Sequence, residues 1–395
     1  MAFATIGTTG IADDAVTSAK VAPGVVDTEA QPNQAPIIIN GDCAVAQRNT
    51  SVASLTSSGD IQTVDRIKNE ITNIGTYTVI QESLTSGEAY NNGFRKAWRI
   101  DCTSADASPA AGDNLYVTYS FEGQDLQLFK KGTSNAEKFT LAFWIKSNKT
   151  GTGQVNLRDN DNSRLIGGTY TISSADTWEH KVVNFAADTN GALDNDNNGS
   201  MDIEWWLDSG TNYSSGTTPT AWEAFSQADR NASGTLDIAD NTANDWAITG
   251  IQLEVGEFTS STIPPFKHES FGTNMARCQR YFTMIADGRL GGGSNEAVIG
   301  SGYCHSGNTS YFACGTLPVR MRGYDPSIFT VTGTGNYKAL RDDGEDYFNT
   351  LVMYGQYNEQ MFSVNGTGGV SATQGQGIQM RLGTSITYLG VDSEL

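Results

Sequence analysis

The chain has 395 residues with a formal net charge of −19, and 43 of its residues are glycine. So acidic a surface excludes recognition of DNA or RNA phosphates and of anionic membranes, which need clustered Lys and Arg. Many Gly, Ser, Thr and Asn with few long runs of helix formers predict short strands joined by turns, an all-β chain of two or three domains.

Residues 1–36 form the first segment. It is rich in small residues, Ser/Thr and scattered acids, with no large aromatic after Phe3, so it cannot bury a core alone. It reads as an extended arm, either disordered or ordered against a partner. Its start has no basic region and no sustained apolar run, unlike a secretory signal. No stretch reaches the roughly 18 apolar residues of a membrane span, so no membrane insertion is expected.

Regular strand patterns begin at PIIINGD, a predicted buried strand meeting an Asn40-Gly41 turn. NLYVTYSFEG alternates Leu115, Val117, Tyr119 and Phe121. KFTLAFWIKS alternates Phe139, Leu141, Phe143 and Ile145, with Trp144 on the opposite face. Between them a short helical turn places Leu126 and Phe129 on one side. TWEHKVVNFAA, MDIEWWLDSG and DWAITGIQLEVG continue the series. Strands at this spacing predict a jelly-roll β-sandwich over 37–270, in a domain running to 282. Phe271, Met275, Cys278 and Phe282 then recur at helical spacing, predicting a short helix with one apolar stripe. GRLGGGSN reads as a Gly-rich linker over 283–294, and 295–395 as a smaller C-terminal β-domain. Five scattered cysteines without a CxxC pair predict free, mostly buried thiols. A Cys304–Cys314 hairpin bridge is the alternative.

The acidic turn after Asp188 carries the one cofactor candidate, Ca²⁺. Asp194, Asp196, Asn198 and Asp202 fall at the offsets of a calcium loop, where alternating oxygens on a tight turn can converge on a cation. Trp205 stands where the bidentate Glu should be. DRNASGTLD offers a weaker set in Asp229, Asn231, Ser233 and Asp237. The competing reading of both runs is that Asn, Asp and Gly are simply good turn formers. For sugars, Trp144, Trp206 and Trp222 are the candidate platforms, because flat indoles stack on apolar sugar faces. Trp205 and Trp206 are adjacent on one strand, which predicts one inside and one outside. Packing is the competing role for each.

Catalysis finds no support. His268 and Cys278 are too few for zinc and lack the third residue of a nucleophilic site. They read as structural: His268 capping backbone at the strand–helix join, Cys278 filling the apolar stripe, Tyr281 anchoring the helix. Carboxylate pairs such as Glu122/Asp125 and Asp342/Asp343 match no glycosidase motif. Gly291-Gly292-Gly293 lacks the Lys and Ser/Thr of a phosphate loop. In the C-terminal domain, 302–314 and 353–362 combine Tyr, Ser, Asn and Gln, suited to recognition or to clamping subunits.

Several stretches resemble bacteriophage tail fibres and related virion structural proteins, which share a jelly roll similar to carbohydrate-binding modules. They are IINGDCAVAQRNTS (38–51), Asp65-Arg66, 122–152, 169–185, 239–256 and PFKHESFGTNMARCQRYF (265–282), in order along about 37–282. The arm IADDAVTSAKVAPG and LPVRMRGYDPSIFTVTG (317–333) resemble the ends of such fibres. Cys43 and Ile67 depart from the usual residues but stay apolar. The resemblance implies a non-enzymatic virion protein, a homotrimer attached to tail or capsid proteins through residues 1–36 and displayed toward a host-surface glycan. A capsid decoration or head fibre is the rival reading, and a polysaccharide depolymerase the third.

Overall fold

One long strand turns the corner between two sheets, and the sandwich follows from it. The structure, a computed structural model, describes residues 35–59, 61–290, 297–306, 310–323, 327–329, 335, 337–348, 350–354, 358–369, 371–383 and 388–395. The arm up to residue 34 and Gly291-Gly292-Gly293 lie outside them. The first eleven strands are β1 (Ser51–Ser57), β2 (Lys68–Ser83), β3 (Lys96–Ser104), β4 (Asn114–Glu122), β5 (Phe139–Lys146), β6 (Gly151–Asp159), β7 (Arg164–Ile172), β8 (Glu179–Phe185), β9 (Gly199–Ser209), β10 (Glu223–Ala224) and β11 (Asp245–Val255). They pair in the order β10-β7-β6-β9-β4-β2-β3-β11-β5-β8, with β1 beside β2.

β2 pairs with β4 over Lys68–Thr72 and with β3 over Thr76–Ser83. The turn between these halves holds Asn73 at φ 49° and Gly75 at φ 67°. Glycine suits this left-handed point, where a Cβ would also lie 2.6 Å from the Ser104 carbonyl oxygen. The ladder therefore folds into two facing leaves. Across the core, the Phe143 ring of β5 meets Tyr170 of β7 at 5.2 Å and Trp205 of β9 at 6.0 Å, both edge-on. This is the all-β jelly-roll sandwich expected from the strand spacing. Leu115, Val117, Tyr119 and Phe121 share its apolar core with Phe139, Leu141, Phe143 and Ile145, as alternation predicts. Leu126 and Phe129 are buried from the 3₁₀ turn Gly123–Phe129.

PIIINGD departs from expectation. Ile38 and Ile39 are buried, but the segment is bent rather than a strand. Asn40, at φ 61°, replaces the ladder. Its amide donates to the carbonyls of Val45 and Asp65, both at 2.9 Å, and its Oδ1 accepts from the Val45 N–H at 2.9 Å. The Ile39 N–H donates to the Tyr119 hydroxyl at 2.8 Å.

Among the described residues three short α-helices interrupt the strands: α1 (Glu88–Asn91), α2 (Thr211–Ser214) and α3 (Phe271–Gln279). In α3, Ser270 caps the N-terminus by accepting from the Thr273 N–H. Cys278 and Tyr281 are buried with Ile39 and Val45. Phe271, expected in the buried stripe, is 59% exposed, and Phe282 opens the next strand instead. His268 caps no backbone group in the described contacts. It is exposed and packs against Phe94 and Phe266, at 5.0 and 4.9 Å. No described helix is long and apolar enough to cross a membrane.

The second sheet system contains β12 (Phe282–Asp287), β13 (Val298–Ser306), β14 (Ser310–Thr316), β15 (Ser327–Phe329), β16 (Tyr337–Arg341), β17 (Gly344–Phe348), β18 (Thr350–Met353), β19 (Met361–Thr367), β20 (Gly377–Leu382) and β21 (Tyr388–Asp392). It forms a three-stranded sheet, β12-β21-β15, and a seven-stranded sheet, β17-β16-β20-β13-β14-β19-β18, with a core of its own. The linker expected at 283–294 starts inside β12, which pairs Phe282 with Asp392 of β21. Ile37–Leu395 accordingly forms one compact unit. The end of β21 and the segment after it pack against the jelly roll: Arg48 donates to Asp392 at 2.7 Å and Arg66 pairs with Glu394. All five cysteines are free. Cys304 faces the core and Cys314 the outside, so a bridge between them is precluded.

Candidate functional site

Alternation along β9 sends Met201, Ile203, Trp205 and Leu207 into the core. Asp202, Glu204 and Trp206 therefore face outward, until a register shift sets Asp208 opposite the core residue Leu115. The ladder extends this outward face sideways in rows. Glu70, Tyr116, Trp206 and Gln154 are cross-strand neighbours on β2, β4, β9 and β6, followed by Lys68, Thr118, Glu204 and Asn156, then Ser120, Asp202 and Arg158.

The loop from Thr211 to Ser233 covers one end of this face. Arg230 anchors it. Its guanidinium donates to both Glu204 oxygens, at 2.6 and 3.0 Å, and lies 4.5 Å over Trp206 and 4.8 Å over Tyr116. Gln154 and Asn156 donate to the backbone carbonyls of Asp229 and Arg230, at 2.7 Å each. Trp206 stacks on Tyr116 at 4.6 Å and donates to Glu204 at 3.1 Å.

Beyond the loop the face opens as a groove of about 270 Å³, lined by Lys68, Glu70, Tyr116, Thr118, Ser120, Arg158, Asn160, Asp202 and Glu204, with Leu395 at its edge. Asn160 donates to Asp202 at 2.9 Å, and Lys68 pairs with Glu70 at 2.8 Å. Burial raises Asp202 above the usual carboxylate range, and burial beside Glu204 pushes Tyr116 up to about 12. The groove thus offers one aromatic wall, a balanced set of charges, and several hydroxyl and amide groups.

Solved structures similar to this chain are carbohydrate-binding modules and a phage tailspike domain. A family 22 carbohydrate-binding module of Clostridium thermocellum Xyn10B is 11% identical, with TM-score 0.27, covering 50% of this chain and 89% of that one. A family 11 module of the C. thermocellum cellulase Lic26A-Cel5E is 10% identical, with TM-score 0.25, covering 52% of this chain and 99% of that one. The enzymatically active domain of tailspike protein 4 from bacteriophage CBA120 is 10% identical, with TM-score 0.29; the match covers 56% of this chain and 21% of the tailspike chain. No protein-family model matches the chain, and no curated protein matches it.

The structure separates the residues expected to act together. Trp206 lies beneath the groove, wholly buried, rather than exposed, because Tyr116, Arg230 and Tyr213 cover the outward face of β9. Trp222 is 8% exposed; it donates to the Ala186 carbonyl and lies under Lys131. Neither offers an open indole platform. Trp144 is half-buried against His180, at 5.0 Å, on the other leaf.

The calcium ligand set does not converge. Asp196 accepts from the side chain and backbone N–H of Asn198, the Asp194 N–H donates to Asp161, and Asp202 points into the groove from β9. Among the described residues no three His, Cys, Asp or Glu side chains are placed to hold a metal ion. In the second loop, Asp229 accepts from the Thr217 N–H and Asn231 donates to Ser209. The carboxylate pairs are structural: Glu122 receives both prongs of Arg280, and Asp342 and Asp343 both accept from Gln376.

Sequence reasoning missed Tyr116, Arg158 and Asn160. Tyr116 could have been found as the aromatic at an outward position of NLYVTYSFEG.

Asp208, set opposite Leu115 by the register shift in β9 and nearly fully buried, accepts from the Ala239 N–H at 3.0 Å, and burial pushes its pKa up to about 7. A carboxyl raised in the folded state binds its proton more tightly there than when unfolded. Its contribution is therefore present below the unfolded value, near 4, and lost as pH rises through about 7. Asp208→Asn should raise the melting temperature relative to wild type at pH 8 and change it little at pH 4, as thermal unfolding at both values will read.

Proposed function

We propose that the chain is a non-enzymatic, glycan-binding display protein of a phage virion, placed on the tail as a fibre, with the outward groove of the jelly roll as its sugar site. The groove itself carries this reading. A sugar presents an apolar face and a rim of hydroxyls; Tyr116 supplies the first contact, and Asp202, Asn160, Arg158 and Glu70 fork hydrogen bonds to the second. The near balance of Lys68 and Arg158 against Glu70, Asp202 and Glu204 suits a neutral ligand better than a polyanion. The virion placement rests on the ordered resemblance over 37–282, with the arm attaching to tail or capsid proteins and several copies raising avidity.

Binding without turnover is the reading that the ion pairs of the groove support, Glu70 being paired with Lys68. Both Glu204 oxygens are held by Arg230, and Asp202 lies on the same strand as Glu204. A glycan array of host-surface oligosaccharides should give ligands that the Asn160→Ala chain binds about 5–10-fold more weakly, the effect of one polar contact. Release of new reducing ends from those glycans would refute the non-enzymatic part alone.

A further inference from the structure

Seven large apolar side chains are exposed among the described residues; Val298, Tyr303, Tyr347, Val352 and Met361 belong to the seven-stranded sheet, and Tyr354 directly follows its strand β18. Register and burial put all six on one face. Tyr303 is opposite Phe312, Val352 opposite Asn365, and Met361 opposite Thr316, while their sequence neighbours Cys304, Leu351 and Phe362 fill the core behind. Tyr303, Phe312, His305 and Tyr354 form one continuous ring cluster, with centroids 5.5 to 6.3 Å apart. Under it, the Ser363 hydroxyl and the Asn365 carbonyl oxygen are buried without a hydrogen-bond partner.

We propose that a second copy of this chain docks on the outward face of the seven-stranded sheet. Size favours a protein over a small ligand: seven strands about 4.8 Å apart and about 20 Å long make a flat face of about 700 Å², close to one side of a standard interface. Composition agrees, because Tyr, Phe, Met and Arg are the residues enriched at interface centres. Charge selects the partner. The chain carries −19 overall, yet the described part of this face holds one acid, Glu345, paired with Lys338, and one further cation, Arg381. Two such acidic chains approach with least repulsion through this face.

The inference rests on the display reading only in taking the chain to self-associate, and it names the surface. Light scattering of the intact wild type should give a multiple of 42.3 kDa, and the Val352→Glu, Met361→Glu chain should fall to 42.3 kDa with an unchanged unfolding midpoint. Phe271→Glu, the exposed apolar side chain elsewhere, should leave the mass unchanged. Cys314, the one exposed thiol, lies on the same face, so maleimide should label it slowly in wild type and quickly in the double variant. An oligomer that survives the double substitution would overturn the assignment of this face while leaving self-association intact. A monomeric wild type would overturn both.

Discussion

Arg230→Ala should destabilise the chain by about 3–5 kcal/mol and abolish glycan binding together, because one guanidinium holds the loop, the carboxylate and the aromatic wall. Glu204 is 1% exposed and receives both its strong hydrogen bonds from Arg230; the next cation, Arg158, is 3.7 Å away. Removing Arg230 strands a buried charge, and the cation over Trp206 and Tyr116 goes with it. Arg230→Lys should recover only part of the loss, since an ammonium cannot fork to two oxygens. Urea midpoints for the three proteins, with oligosaccharide titrations beside them, will read this. A stability change under about 1 kcal/mol for the alanine variant would show that the loop is held by its backbone contacts instead.

Arg66→Met should cost a similar amount, about 3–5 kcal/mol, for a reason that lies between the two sheet systems. Arg66 pairs with Glu394, donates to the Ser120 carbonyl at 2.6 Å and lies 3.5 Å over the Tyr281 ring. Arg48 reaches Asp392 and Glu394 beside it, with its own guanidinium 3.7 Å over Phe282. Both arginines come from the jelly roll, and both acids follow or end β21. Breaking one partner leaves a buried charge, whereas removing both removes the desolvation cost as well. The double variant Arg66→Met, Glu394→Leu should therefore be more stable than either single variant. Strictly additive losses in that cycle would mean the pair is not coupled and the cluster contributes through packing.

The core was legible where one residue type repeats at a local period. NLYVTYSFEG and KFTLAFWIKS read correctly because one face of each strand meets only apolar neighbours. PIIINGD did not, because Asn40 supplies from its side chain the hydrogen bonds that a strand would take from a ladder. The linker was misplaced for a non-local reason: pairing of Phe282 with Asp392 spans more than a hundred residues, and nothing near the Gly-rich run reveals it. Alternation separates Trp205 from Trp206 across β9, yet it says nothing about a loop that covers the outward face. The calcium offsets assumed one continuous loop around a cation. Asp202 instead belongs to β9, whose pleat turns it toward Asn160 and away from Asp196. The groove was unreadable as a site because its rows draw on four strands that become neighbours only through long-range pairing.

The central claim, that the outward groove between Tyr116 and Asp202 is the sugar site, is tested most directly by a crystal structure of the chain soaked with an oligosaccharide that it binds in the array. The account predicts a sugar ring against Tyr116 with hydroxyls on Asn160 and Asp202. A ligand seated only at Trp144, or only on the seven-stranded sheet, would contradict it.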